Sequence, residues 1–335
     1  FFIFKLWEEE VNMKKKRYVF SLIFTIFMVF CAEYLNQLEI IFPEILALLS
    51  GAWIAENQPW KVNKVQLFLL MSISSFVGVI LVKYLSIHIL VKISIAFTFS
   101  YIMLRLTKTT IIPLISACIL PILLNTSTWV YPISVTIMCA LIVIFQYIME
   151  VRGIRNAEKY VKEDTLLGNL VTVDMEDVSE QYTIKKYFKT LLIILLVSFI
   201  PVKTSNLYFI APPLIVTFME FSEPSSPARK SVKKIIFILL VASFIGTTLR
   251  IFLNVYLQFP LWLVAGITTL CIFTIFEKTS IIFPPAGAIS LLPLLLNTDG
   301  LYLYPIQVFI GSCIFIFFAL FIFRNDKIDD YELNN

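Results

Sequence analysis

The sequence predicts an all-α fold: a polytopic helical membrane protein with two parallel repeats and short or re-entrant helices. Three observations predict it. Apolar residues make up 59% of the 335 residues and charged residues only 15%, against roughly 45 to 50% and about 25% in soluble domains. The apolar residues fall in runs of roughly 15 to 24, with charges confined to short islands between them, a pattern that calls for a hydrocarbon solvent. The chain also repeats itself: LPILLNT at 120–126 precedes YPISV, and LPLLLNT at 292–298 precedes YPIQV.

The repeat extends backwards at a separation of roughly 170 residues, which makes the unit about half the chain. Ser75, Phe76 and Gly78 fall opposite Ser243, Phe244 and Gly246, and Pro59 falls opposite Pro227. A soluble giant core is excluded because the chain is too short to bury so many all-round apolar helices within protein. A barrel is excluded because runs such as Phe188 to Ile200 are apolar on every side and do not alternate.

Six apolar segments can be delimited in each half. The first half holds 18–35, 40–55, 65–87, 89–104, 110–124 and 130–149; the second holds 188–202, 207–221, 234–256, 260–276, 281–296 and 302–323. The run from Tyr18 to Cys31 follows a basic patch and lacks a small-residue cleavage site, so it reads as a first membrane helix and not a removed signal peptide. Segments 40–55, 110–124, 207–221 and 281–296 are short: about 24 Å of helix against a hydrocarbon core of about 30 Å. They are either short spans in a thinned region or re-entrant segments shielded by neighbours.

Charge placement sets the expected orientation. With every segment crossing and the N-terminus cytoplasmic, all 27 Lys and Arg except Lys83, Lys92, Lys203 and Arg250 fall on the inner side. An even number of crossings per half makes the repeats parallel. The expected organisation is a first membrane repeat at 1–151, a cytoplasmic linker at 152–186, a second repeat at 187–323 and a cytoplasmic tail at 324–335, in the cell membrane with both termini cytoplasmic. The linker is too short for a catalytic domain. It serves either to let the second half insert in the same sense or to bind a partner.

Enzyme chemistry finds little to stand on, and the chain is read as a non-enzyme without cofactor or metal. His88 is the sole histidine, which excludes a His-dependent triad or a histidine metal cluster. Cys31, Cys118, Cys139, Cys271 and Cys313 are scattered through apolar segments and read as packing residues. No glycine-rich nucleotide cradle is present. Glu33, Glu39 and Glu44 flank the outer end of the first two segments as helix-end charges. Glu44, one residue after Pro43, is the one deep enough to consider for a cation or proton role.

Proline and small polar residues mark the candidate substrate site. Pro284, Pro285, Ala286 and Gly287 open segment 281–296. Adjacent prolines remove two donors and predict a helix starting at Pro284 or Pro285, its positive dipole end near the cytoplasmic side and suited to an anion. Asn125-Thr126 and Asn297-Thr298 close the paired segments, as caps, turns or site residues. Ser225, Ser226 and Arg229 lie at the cytoplasmic end of segment 207–221, where they either bind an anion or, with the following lysines, enforce orientation.

Phe283-Pro284-Pro285-Ala286-Gly287-Ala288 resembles the signature of the HPP family of integral membrane proteins, and Ser225-Ser226-Pro227 with Arg229 resembles that family's stretch before a membrane helix. The resemblance is best from about Ala211 to Ile322, and Phe283 stands where the eponymous histidine is expected. It implies four transmembrane segments per unit, and, because plant plastid and cyanobacterial members are linked to nitrite transport, an anion carrier or channel. Two functions are therefore carried forward. One is a transporter or channel for a small solute such as an inorganic anion, nitrite included; the other is a membrane scaffold or sensor acting through the 152–186 loop. The expected partners are a small anion and membrane lipid, with no nucleic acid; self-association is left open.

Overall fold

A computed structural model describes residues 2–155 and 183–324 of the chain. The 156–182 part of the expected linker and the expected tail from 325 onward lie outside the described residues. The first half holds α1 (Phe2–Tyr34), α2 (Glu44–Leu49), α3 (Lys64–Tyr84), α4 (Ile89–Thr107), α5 (Pro113–Leu124) and α6 (Val130–Val151). The second holds α7 (Ile184–Lys203), α8 (Pro212–Ser222), α9 (Val232–Leu249), α10 (Leu261–Thr279), α11 (Pro284–Leu291) and α12 (Tyr304–Ile322). No strand occurs among the described residues, and both halves follow the order long, short, long, long, short, long, with one added single-turn helix, Thr298–Leu301, before α12. Wider π turns continue α2 through Ser50–Ile54 and α9 through Arg250–Tyr256.

Among the described residues seven helices are long and apolar enough to cross a membrane: α1, α3, α4, α6, α9, α10 and α12. The eighth long helix, α7, has 20 residues and gathers its lysines at its ends, as Lys185, Lys186, Lys189 and Lys203. Its Phe188, Leu192, Leu196 and Phe199 are all more than half exposed on one stripe, which suits lipid and not water. The chain is thus an integral, multi-pass, all-α membrane protein.

Four of the long helices, α3, α4, α7 and α10, begin on side chains that hold otherwise orphaned N–H groups. Asn63 and Gln66 form a capping box on α3, His88 Nδ1 accepts from Leu90 N on α4, and Thr183 accepts from Lys186 N on α7. Glu33, at the end of α1, reaches across to accept from the backbone of Leu261 and Trp262 at the start of α10. The short helices α5, α8 and α11 begin instead on proline, whose missing donor costs nothing at that position.

Polar contacts sort into two ends of the molecule. One end joins Lys14 to Glu277 at 2.9 Å, Lys64 to Glu150, Lys186 to Glu223 at 2.9 Å, and Arg17 to the carbonyls of Trp53 and Ile54. The other joins Glu33 to the start of α10, Thr128 to Glu39, Lys83 to the face of Trp129, and Gln307 to Asn206. Each short segment connects one end to the other. Segment 40–55 leaves the Glu39 end and finishes beside Arg17, and segment 110–124 leaves the Lys61–Thr110 contact and finishes near Thr128. The short segments therefore run through the molecule as partly unwound spans and do not turn back.

They can do so because protein surrounds them. Every residue of α2 and α11, and Pro113 to Leu123 of α5, is buried, so the backbone at these breaks never meets lipid. Close approach is built in at equivalent places: a Cβ on Gly78 would lie 2.3 Å from the Cys118 carbonyl oxygen, and one on Gly246 would lie 2.1 Å from that of Ser290. Likewise Tyr131 donates to the Ala117 carbonyl at 3.1 Å and Tyr304 to the Ile289 carbonyl at 2.8 Å.

Candidate functional site

The starts of the four short helices meet inside the molecule around one cavity. Each contributes two residues, one in its first positions and one three residues later on the same face: Glu44 and Ala47 from α2, Pro113 and Ser116 from α5, Pro213 and Val216 from α8, Pro285 and Ala288 from α11. The space is small, about 10 Å³ for the centre of a water-sized sphere, room for about one water molecule. Gly287 lets α11 reach this point, since its Cα face lies against Leu46 of α2, where an added Cβ would meet side chain and backbone at 3.0 to 3.2 Å.

The local sequence explains the geometry. An apolar residue followed by proline stands at the start of each short helix: Phe42-Pro43, Ile112-Pro113, Ala211-Pro212-Pro213 and Phe283-Pro284-Pro285. At Ala211 and Phe283 the residue before the proline is extended, as proline favours, and the helix starts part-way along the segment, whereas Ile112 before Pro113 keeps helical angles. First-turn donors that remain are turned back on preceding carbonyls, as in Ile45 N to Phe42 O (2.9 Å), Ile115 N to Ile112 O (3.0 Å), Leu214 N to Ala211 O (2.7 Å) and Ala286 N to Phe283 O (3.0 Å).

What faces the cavity is consequently sparse in hydrogen-bonding groups. Only Glu44 and Ser116 carry polar side chains there. Ser116 Oγ donates to Glu44 Oε1, while Oε2 is buried without a hydrogen-bond partner. Glu44 is 1% exposed. The positive ends of α5, α8 and α11 stabilise negative charge at this point, each by about 0.3–1 kcal/mol and up to about 2 in partly buried geometry.

The residues singled out from sequence are distributed over three places. Pro285 lines the cavity; Pro284, Ala286 and Gly287 are buried around the start of α11. That start lies within the molecule, where Phe283 is itself buried, edge-on to Phe221 at 6.5 Å. Ser225, Ser226 and Arg229 lie beyond the far end of α8, about 16 Å of helix from its start. There Ser225 bonds Glu223 and Ser226 bonds Glu220, each at 3.0 Å. Arg229 donates to the carbonyls of Ala319 and Phe323. Asn297 and Thr298 are exposed beyond the other end of α11. Asn125, by contrast, ends α5 in the left-handed conformation (φ 53°).

Of the three acids, Glu33 caps α10, Glu39 meets Thr128 at the surface, and only Glu44 enters the interior. Sequence reading missed Ala47, Pro113, Ser116, Pro213 and Val216 as lining residues. The recurrent apolar-Pro step at the four short segments is the signal that groups them. Among the described residues no three His, Cys, Asp or Glu side chains cluster as metal ligands, and the cysteines are unpaired.

Fold and site together define a polytopic membrane protein with a polar point enclosed by broken helices. Residues 176–331 match the family model of the HPP transmembrane region, a stretch that contains α7 to α12. The likeness to the HPP transmembrane region is therefore confined to the second half of the chain. No curated protein and no solved structure matches the chain.

Proposed function

We propose that this chain is a membrane transporter or channel for a small inorganic anion, nitrite among the candidates, with its pathway through the cavity at the short-helix starts. The observation that carries this reading is the convergence of α5, α8 and α11, positive ends inward, with Glu44 and Ser116 on a buried cavity. Discontinuous helices whose N-termini meet an anionic group inside the membrane are a recurring transporter device. The proposed architecture is two parallel copies of one unit, each of four long and two short helices, in the cell membrane with both termini cytoplasmic. Room for about one water admits only a small solute.

The test is flux through the full chain in proteoliposomes against nitrite, nitrate, chloride and formate. We expect uptake of at least one of these anions, and its loss in Ala288→Leu, whose larger side chain fills the cavity, with thermal melting confirming that the variant folds. Flux undiminished in folded Ala288→Leu would remove the cavity from the pathway. Folded wild-type protein that moves none of the four would overturn the transport reading and favour a scaffold or sensor acting through 152–186.

A further inference from the structure

Resting on the anion-transport reading, we infer that Glu44 is a proton-coupled gate. Its carboxylate occupies the anion's place when ionised and yields it when protonated, so that each anion crosses with one proton. The argument is one of donors and charge. An ionised carboxylate only accepts hydrogen bonds, and it lies on a cavity whose one other polar side chain, Ser116, already donates to it. An anion entering then meets a like charge and no free side-chain donor. Protonation of Oε2, the buried oxygen without a partner, removes the charge and creates an O–H donor on the cavity in a single step. The positive ends of α5, α8 and α11 are then left facing the incoming anion. On release the proton leaves Oε2 and the carboxylate resumes its place, so charge and atoms balance at one H⁺ per monovalent anion.

The surrounding elements offer no competing proton carrier. Phe283 to Leu291 of α11 and its approach carry no titratable side chain. On α8 the one acid, Glu220, is at the far end and bonded to Ser226. On α1, Arg17 is held by the Trp53 and Ile54 carbonyls and Glu33 by the α10 backbone. The phenols within electrostatic reach of Glu44 are Tyr131 on α6 and Tyr304 on α12, and both donate their protons to helix carbonyls. Cys118 of α5 and Cys139 of α6 are buried thiols in the same neighbourhood.

Nitrate and chloride are the probes, because their conjugate acids are too strong to ferry protons across lipid unaided. With voltage clamped by an ionophore and a pH dye trapped inside full-chain proteoliposomes, an inward anion gradient should acidify the lumen, and wild-type flux should fall about tenfold per pH unit above the Glu44 titration. Glu44→Gln, which keeps shape and a donor, should carry anion at a rate flat with pH and without acidification. Wild-type anion flux without proton movement overturns the gate while leaving the transport reading intact, and needs no variant to fold. The same pH slope in Glu44→Gln as in wild type also overturns it. No wild-type flux of either probe at any pH overturns the inference itself.

Discussion

At the cavity, the first half of the chain supplies Glu44 and Ser116 where the second supplies Pro213 and Ala288. Around those positions the halves are close to interchangeable. Tyr131 and Tyr304 tie α6 and α12 to the short helices α5 and α11 through the same kind of bond. Gly78 and Gly246 bring α3 and α9 onto those same short helices. The residues before the prolines, Ile112 and Phe283, are both 4% exposed. Both halves thus hold their short helices in place in the same way, and the polar side chains on the cavity, Glu44 and Ser116, come from the first half.

The shared framework is the part most costly to disturb. A Cβ at Gly246 or Gly78 collides with a backbone carbonyl, which cannot rotate away. Gly246→Ala and Gly78→Ala should each destabilise the fold by about 3 kcal/mol, the upper part of the usual overpacking range. Melting of the purified variants in detergent is the measurement. A large loss for one and none for the other would break the equivalence of the halves.

A smaller effect is expected at Arg229, whose two bonds to the last carbonyls of α12 make it an anchor at the far end of α8. Arg229→Ala should cost roughly 1.5 kcal/mol, the low end for bonds from a charged donor, and should leave the ion preference and pH dependence of flux unchanged. A shift in anion preference at preserved stability would return the anion site to the position first read from sequence.

The twelve segments and the short lengths of four of them were legible because burial in lipid writes continuous apolar runs. The start of α11 at Pro284 was legible because proline constrains its own position and the one before. The depth of that start was not. Phe283 to Pro285 reads equally well at a membrane surface, and only its packing against Phe221 and Leu46 shows that it lies inside. Ser116 was invisible for a related reason: a serine in an apolar helix commonly bonds its own backbone, and its partner Glu44 is 72 residues away. Sequence reading favoured the second half as the place for a site because its prolines and glycine are conspicuous, whereas the polar pair comes from the first.

The smallest effect is expected at Asn297, and it discriminates between repeat and function. LPILLNT and LPLLLNT are nearly identical, yet Asn125 takes up the left-handed turn that closes α5, with φ 53°, while Asn297 is exposed, extended and without a side-chain cap bond. Replacing Asn125 by Ala should cost up to about 1 kcal/mol, because a left-handed residue with a Cβ and no local hydrogen bond is strained. Replacing Asn297 should stay within about 0.5 kcal/mol, as for surface positions without a special role, and should leave anion flux untouched. Equal losses at the two sites would mean that Asn297 bears a local structure like Asn125's. Loss of flux at Asn297 without loss of stability would mean that the end of α11 belongs to the pathway, and that likeness of sequence between the halves had been kept for transport and not for folding.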